Sequence, residues 1–151
     1  VTINYDPILK NWRVKVSFKI ELDHIGIATP EIVENNFFKI LGLPDGGTEE
    51  VQSEGVKVGF FQTANGANIE LLEALNSESP IAKFIDKRGP GIHHICFRVQ
   101  EIEKLVEHLK SQGVRMINEE PKMGAHNCKV VFIHPKSTGG VLVELSEKVK
   151  S

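Results

Sequence analysis

The chain has 151 residues, 40% hydrophobic and 25% charged, which excludes a disordered protein and suits one compact domain or two small modules sharing a core. Its net charge of −2 gives no electrostatic basis for binding nucleic acid or an anionic membrane, and no apolar run approaches the roughly 18 residues of a membrane span. Two cysteines, Cys96 and Cys128, make no disulfide framework and lack CxxC spacing, so a reducing compartment is the default.

Residues 1–19 carry Lys10, Arg13 and Lys15 but not the apolar run of a secretory signal. Trp12, Val14, Val16 and Phe18 alternate, which predicts a strand or arm leading into the domain. The domain is read as residues 20–147, followed by a short tail over 148–151.

The first strand is expected around Leu22–Ala28. A helix is expected from Pro30 to Leu41, with Val33, Phe37, Ile40 and Leu41 forming its apolar face and Gly42 its stop. Strand-like runs follow at 47–53, Val56–Gln62 and Asn68–Leu75, separated by turns at Asp45-Gly46-Gly47 and Ala64-Asn65-Gly66. A linking helix is expected from Ser79 to Lys87, within a linker of about 79–88, before Gly89-Pro90-Gly91 releases the chain into another strand. Then comes a second helix, with Ile102, Leu105, Val106 and Leu109 at i, i+3, i+4 and i+7 and Gly113 as its stop. Val114–Ile117, Lys129–His134 and Val141–Leu145 read as the closing strands.

This order repeats. His24 falls on His94, Ile25 on Ile95, Glu31 on Glu101 and Ile32 on Ile102, all at an offset of 70. The chain is therefore expected to hold two βαβββ modules, about 20–76 and 91–147. Neither buries enough core alone, so they should pack side by side.

Alternation within strands sorts the side chains onto two faces. Ile25 and Ile27 oppose His24, Gly26 and Ala28, while His93, Ile95, Phe97 and Val99 oppose His94, Cys96 and Arg98. In the last strand of each half, Glu70 opposes Ile69 and Leu71, and Glu144 opposes Val143 and Leu145. Each module thus offers one histidine and one glutamate, at spacings of 46 and 50. Across a pseudo-twofold, His24, Glu70, His94 and Glu144 would converge on one cavity. Two imidazoles and two carboxylates suit a borderline divalent ion such as Zn²⁺, Co²⁺, Ni²⁺ or Mn²⁺. The spacing alone names no reaction.

The stretches Leu22-Asp-His-Ile-Gly-Ile-Ala and Gly91-Ile-His-His-Ile-Cys-Phe, with the paired modules, resemble the vicinal oxygen chelate superfamily. Within it, the chain is similar to the methylmalonyl-CoA epimerase family through Ile69-Glu-Leu-Leu-Glu, Ser79-Pro-Ile-Ala-Lys-Phe-Ile, Glu119-Glu-Pro-Lys-Met-Gly-Ala-His and, most discriminating, Phe132-Ile-His-Pro-Lys-Ser-Thr-Gly-Gly-Val-Leu-Val-Glu-Leu. The resemblance covers about residues 20 to 147. It implies an α+β open barrel of two tandem βαβββ modules around a metal cavity. It also implies an isomerase that interconverts (R)- and (S)-methylmalonyl-CoA through an enolate, with a place in propionyl-CoA metabolism.

By that resemblance His24, His94 and Glu144 are metal ligands, Glu70 stands where relatives often carry Gln, and Co²⁺ is the favoured ion. Glu144 is the implied base for one face of the substrate carbon. Some relatives carry a second glutamate where this chain has Val58, so the other base is unassigned, with Glu70 or a water on the metal open for the role. A homodimer is implied, located in the cytoplasm of a bacterium or the mitochondrial matrix of a eukaryote.

Lys136 and Ser137, in the turn before Glu144, and His126, in a glycine-containing loop, are candidate substrate contacts. Lys87 and Arg88 either meet coenzyme A phosphates or serve the helix end they terminate. His93 reads as a core residue or a support for the ligands, and His108 as a solvated helix position. The competing functions are a glyoxalase-type lactoylglutathione lyase, an extradiol dioxygenase, and a metal-free module that sequesters a small ligand.

Overall fold

The computed structural model describes residues 2–6, 11–15 and 17–149. At the amino end, β1 (Thr2–Asp6) and β2 (Asn11–Lys15) pair antiparallel; Val16 lies outside the described residues, as do 150–151 of the tail. The first module comprises β3 (Ile20–Ala28), a one-turn helix α1 (Phe37–Ile40), β4 (Asp45–Val51), β5 (Val56–Gln62) and β6 (Asn68–Ala74). The helix α2 (Pro80–Arg88) joins it to the second, which comprises β7 (Gly91–Val99), α3 (Ile102–Ser111), β8 (Lys122–Met123), β9 (Cys128–Ile133) and β10 (Leu142–Lys148). Among the described residues no helix is long and apolar enough to cross a membrane.

The eight strands from β3 onward make one curled mixed sheet, a half-barrel ordered β4-β5-β6-β3-β7-β10-β9-β8. Each module's first strand lies parallel to its own last strand, β3 with β6 and β7 with β10, and the two first strands pair antiparallel at the centre. Ile25 pairs with Ile95, His24 with Cys96, and Gly26 with His94. At the offset of 70, Ile25 and Ile95 are each other's counterparts, so the pseudo-twofold passes between them. The expected duplication is thereby an exchange of equivalent positions across one ladder.

Two slips in that ladder are themselves related by the repeat. Between Leu22 and His24 an extra residue, Asp23, bulges from β3; between Gly26 and Ile27 the extra residue lies on β7 and is His93. A bulge breaks alternation locally and re-aims side chains. The expected placement of His93 on the face of Ile95 is corrected accordingly, because the bulge brings its ring beside His94.

The two long helices cover different faces of the two halves, and the convex face of the first half is covered instead by residues 30–41, over buried Leu71 and Phe61. In the second, α3 covers the convex face, packing Ile102, Leu105 and Val106 against Val99, Val131, Ile133, Leu145 and Met116. In the first, α2 covers part of the concave face, where Ile81 joins Ala28, Val56, Val58 and Leu72. Ser79 caps α2 by accepting the Ile81 N–H at 3.2 Å, Pro80 starts it, and Gly89 ends it at φ 75°.

The helix expected over Pro30–Leu41 is corrected to the single turn α1. Asn35 and Asn36 sit where it would have to continue, and the i→i−4 ladder begins only with the Ile40 N–H donating to Asn36 at 3.0 Å. Asparagine competes for backbone partners and favours turns and caps over helix interiors. Val33, Phe37, Ile40 and Leu41 are consequently exposed, whereas Ile32 packs over Gly59 and Phe38 against Phe61. The strand expected at Val114–Ile117 reduces to one bridge between Met116 and Ile133, and the edge pairing falls to Lys122–Met123.

Candidate metal centre

The floor of the half-barrel is built where β3 and β7 meet, with β6 and β10 on either side. Register sets Glu70 beside Gly26 and Glu144 beside Cys96, on the face that carries His24 and His94. His24 Nε2 and His94 Nε2 face each other at 2.9 Å, and Glu144 Oε2 lies 3.4 Å from His94 Nε2 and 3.9 Å from His24 Nε2. Ligands about 2.1 Å from a common ion stand about 3 Å apart when adjacent in an octahedron, so these three donors fit a divalent cation. Glu70 approaches from the other side, its Oε1 being 3.5 Å from His24 Nδ1.

Glycine at position 26 makes this approach possible. A Cβ there would come within 2.4 Å of His94 Cε1, so the ring occupies the space a side chain would need. On the other arm of the pseudo-twofold, Cys96 is fully buried and its thiol is pushed far up by burial, which leaves it inert.

Each of the two facing histidines is held from behind by its bulged neighbour. Asp23 Oδ2 meets His24 Nδ1 at 2.9 Å, and Asp23 Oδ1 in turn accepts from Arg98 Nε at 2.8 Å and Nη2 at 2.5 Å. His93 Nδ1 lies 3.0 Å from His94 Nδ1, and its ring packs on Phe84 of α2. Outer partners of this kind fix ring orientation and tautomer. Alternation places Arg98 on the face of His94, but nothing in the sequence assigns Asp23 and Arg98 to holding His24. The available signal was Asp23 directly before a ligand candidate, at the repeat position of His93.

The electrostatics favour a cation. The hydrogen bond with His24, supported by Arg98, holds Asp23 at about 2 against the opposing effect of burial. Burial pushes Glu144 up to about 7 and raises Glu70 as well, His24 offsetting part of both shifts. Burial drives His94 down to about 3, reinforced by His24 and His93. Burial also opposes charge on His24, but the Asp23 hydrogen bond and the carboxylates of Glu70 and Glu144 outweigh it and raise its pKa. Two desolvated carboxyls beside facing imidazole nitrogens form a donor set that a cation would relieve.

The other candidate residues lie farther along the chain's loops. Ser137 Oγ accepts the Arg115 N–H at 2.9 Å and the Lys136 N–H donates to His134 Nδ1 at 3.1 Å, contacts that shape the turn itself. His126 Nε2 is 3.3 Å from Glu49 Oε2. Arg88 lies over the Phe84 ring at 5.9 Å, and His108 packs near Phe18 at 5.7 Å.

A second repeated glutamate also went unnoticed in the sequence. Glu73 and Glu147 each stand three residues beyond the site glutamate of their strand. Glu73 accepts the Ile32 N–H at 2.7 Å, and Glu147 accepts the N–H groups of Glu101 and Ile102 at 2.7 and 3.0 Å. Both tie the strand bearing the carboxylate to the segment that follows the histidine strand.

The sequence profile of the Glyoxalase/Bleomycin resistance protein/Dioxygenase superfamily matches residues 23–132. The mitochondrial methylmalonyl-CoA epimerase of Homo sapiens is 41% identical over 129 residues, spanning 83% of this chain and 73% of that protein. The ethylmalonyl-CoA/methylmalonyl-CoA epimerase of Cereibacter sphaeroides is 40% identical over 130 residues, spanning 83% and 96%. The crystal structure of methylmalonyl-CoA epimerase from Mycobacterium tuberculosis superposes with a TM-score of 0.77 at 38% identity, covering 85% of this chain and 88% of that one. With its duplicated βαβββ half-barrel, the chain belongs to the glyoxalase/bleomycin resistance protein/dioxygenase superfamily and, within it, to the methylmalonyl-CoA epimerase family.

Proposed function

We propose that this protein epimerises methylmalonyl-CoA by removing the α-proton on one face and returning a proton on the other. The observation that carries the reading is the convergence of His24, His94 and Glu144 within 2.9–3.9 Å at the pseudo-twofold, in a chain with epimerase relatives at about 40% identity. His24, His94 and Glu144 would hold a divalent ion, with Glu70 as the fourth donor and Co²⁺ as the favoured metal over Zn²⁺, Ni²⁺ and Mn²⁺. Such an ion supplies positive charge to the oxygens on which the enolate's charge develops, without redox change.

The chain's own groups do the remaining work. Glu144, buried and with its Oε2 3.4 Å from His94 Nε2, is the proton acceptor for one face of the substrate carbon. Asp23 and Arg98 keep His24 fixed, and His93 keeps His94 fixed, so the carboxylate meets a preorganised site. Val58, Leu72 and Ala28 form an apolar wall on the same face. Residues 20–147 act as one catalytic unit, with Lys136, Ser137 and His126 as substrate contacts. The protein works as a homodimer in propionyl-CoA metabolism, and exposed Val33, Phe37, Ile40 and Leu41 support association of two copies.

The test is incubation with each epimer of methylmalonyl-CoA in D₂O, with and without Co²⁺, following α-proton loss by NMR together with conversion. Exchange and conversion should both require the metal, and Glu144→Gln should slow conversion by at least about 100-fold. Absence of exchange with all four metals would refute the reading. So would activity confined to a glutathione hemithioacetal.

A further inference from the structure

We propose that His126, clasped by Glu49, is the second acid/base group, serving the face of the substrate α-carbon turned away from Glu144. The inference rests on the epimerase reading and deepens it.

β4 and β8 are the two ends of the eight-stranded sheet. They meet because the sheet curls: His126, in the turn after β8, places Nε2 3.3 Å from Glu49 Oε2 on β4. Its ring stands edge-on to Phe60 of β5, centroids 6.2 Å apart, and Phe60 pairs with Glu70 across β5 and β6. His126 therefore spans the open side of the half-barrel, opposite the β3–β7 floor that carries His24 and His94. A substrate resting on that floor has Glu144 at one side and His126 at the other. Glu49 engages Nε2, which leaves Nδ1 for the substrate.

The turn is built to hold that side chain. His126 and Asn127 have φ of 54° and 56°, in the left-handed region that non-glycine residues seldom occupy. The Gly124 N–H donates to Cys128 O at 2.8 Å and the Val149 N–H to Asn127 O at 3.0 Å, which tie the turn at both ends. A Cβ on Gly124 would come within 2.9 Å of Val130 Cγ2, so the turn closes over β9 only with glycine there. Two adjacent non-glycine residues held at positive φ keep the His126 side chain, 59% exposed, at the open side of the sheet, a conformation that the surrounding turn has to maintain. Val58, directly opposite Glu49 on β5, has no acid/base group. A histidine backed by a carboxylate is an ordinary acid/base arrangement.

In one direction the Glu144 carboxylate takes the α-proton, and the C–H electron pair enters the enolate. The Nδ1–H of the His126 imidazolium then delivers its proton to the opposite face, forming the new C–H bond and leaving neutral imidazole. Glu144 gives its proton to water and His126 regains one from water. In the reverse direction the two groups exchange roles.

The experiment compares wild type, His126→Gln and Glu49→Gln, each metal-loaded, on each epimer in D₂O, with metal content and circular dichroism as checks on folding. His126→Gln should slow conversion at least about 100-fold, while one epimer still exchanges its α-proton at nearly the wild-type rate with retained configuration. Glu49→Gln, which keeps His126, should lose about 10-fold in conversion with the same one-sided exchange, and it carries the test if His126→Gln fails to fold. Wild-type conversion by His126→Gln would overturn the proposal. So would equal loss of exchange from both epimers, or a larger loss in Glu49→Gln than in His126→Gln. If wild type itself exchanges neither epimer, the epimerase reading fails first, an outcome separate from failure of His126 alone.

Discussion

The two halves of this molecule answer the same instruction differently after their first strand. In the second half, α3 buries a complete apolar stripe, with Ile102 at 0% exposure. In the first, the equivalent segment condenses to one helical turn: Ile32, at the repeat position of Ile102, packs over Gly59, while Val33 at 81% and Ile40 at 76% exposure stay out. Both segments nevertheless start from a backbone N–H held by the second glutamate of their module's last strand. The tie to the site glutamate's strand is kept in both halves, while the helix that covers the sheet is kept in only one. Position of the strand that bears the site glutamate and cover for the core are thus separable requirements.

The largest effect should come from testing that separation in the core. Ile102→Ala should lower the unfolding free energy by about 2–5 kcal/mol, because a fully buried side chain is lost and a cavity remains. Ile40→Ala, its opposite number in exposure, should change it by no more than about 0.5 kcal/mol in urea titrations of dilute, monomeric protein. Equal losses would break the contrast. They would mean that the apolar positions of residues 30–41 are covered within the single chain.

The next effect separates the two facing histidines, His24 and His94. Gly26→Ala should weaken metal binding about 100-fold, because its Cβ would occupy the space of the His94 ring, 2.4 Å from Cε1. Cys96→Ala, at the repeat position of Gly26, should leave metal affinity within a few-fold. Titration with Co²⁺, followed by its visible absorption, measures both. Loss of binding in Cys96→Ala alone would shift the weight of the site onto the buried thiol.

A smaller effect is expected behind His24, where a carboxylate takes the place that an imidazole takes behind His94. Asp23→Asn should weaken metal binding about 10-fold, with Arg98→Lys falling between that variant and wild type. It should also alter acid stability. Asp23 is held at about 2, below its ordinary 3.8, so its contribution is present above pH 3.8 and is lost as pH falls toward 2. The variant should therefore show a shallower loss of stability between pH 4 and pH 2 than wild type.

What the amino-acid sequence revealed follows from what each feature depends on. The repeat was readable because His24-Ile25 and His94-Ile95 kept their identities at a fixed offset, and with it came the faces of Glu70 and Glu144. The bulges at Asp23 and His93 depend on how two strands slip against each other, which alternation within one strand does not encode. The helix over 30–41 was overread because its apolar spacing is good while Asn35-Asn36 interrupts the backbone ladder in the middle. Glu49 and His126 lie 77 positions apart and meet only once the sheet curls far enough for its two edges to touch.

The last comparison bears most directly on how the two halves share their design. Glu147 accepts two backbone N–H groups at the start of α3, whereas Glu73 accepts one at Ile32. At α3 these charge-assisted bonds replace the side-chain cap that Glu101 does not supply, whereas Glu73 ties Ile32, ahead of α1. Glu147→Ala should therefore cost about 1–2 kcal/mol and Glu73→Ala about half as much, read from urea midpoints at constant slope. The structural cost in the second half falls on a helix already pinned by its core. In the first half the same bond is the chief tether of a segment with little buried surface, so Glu73→Ala should produce the greater rise in hydrogen exchange around Ile32 despite the smaller loss of global stability. A reversed order in global stability would show that residues 30–43 contribute more to the fold than their exposure indicates.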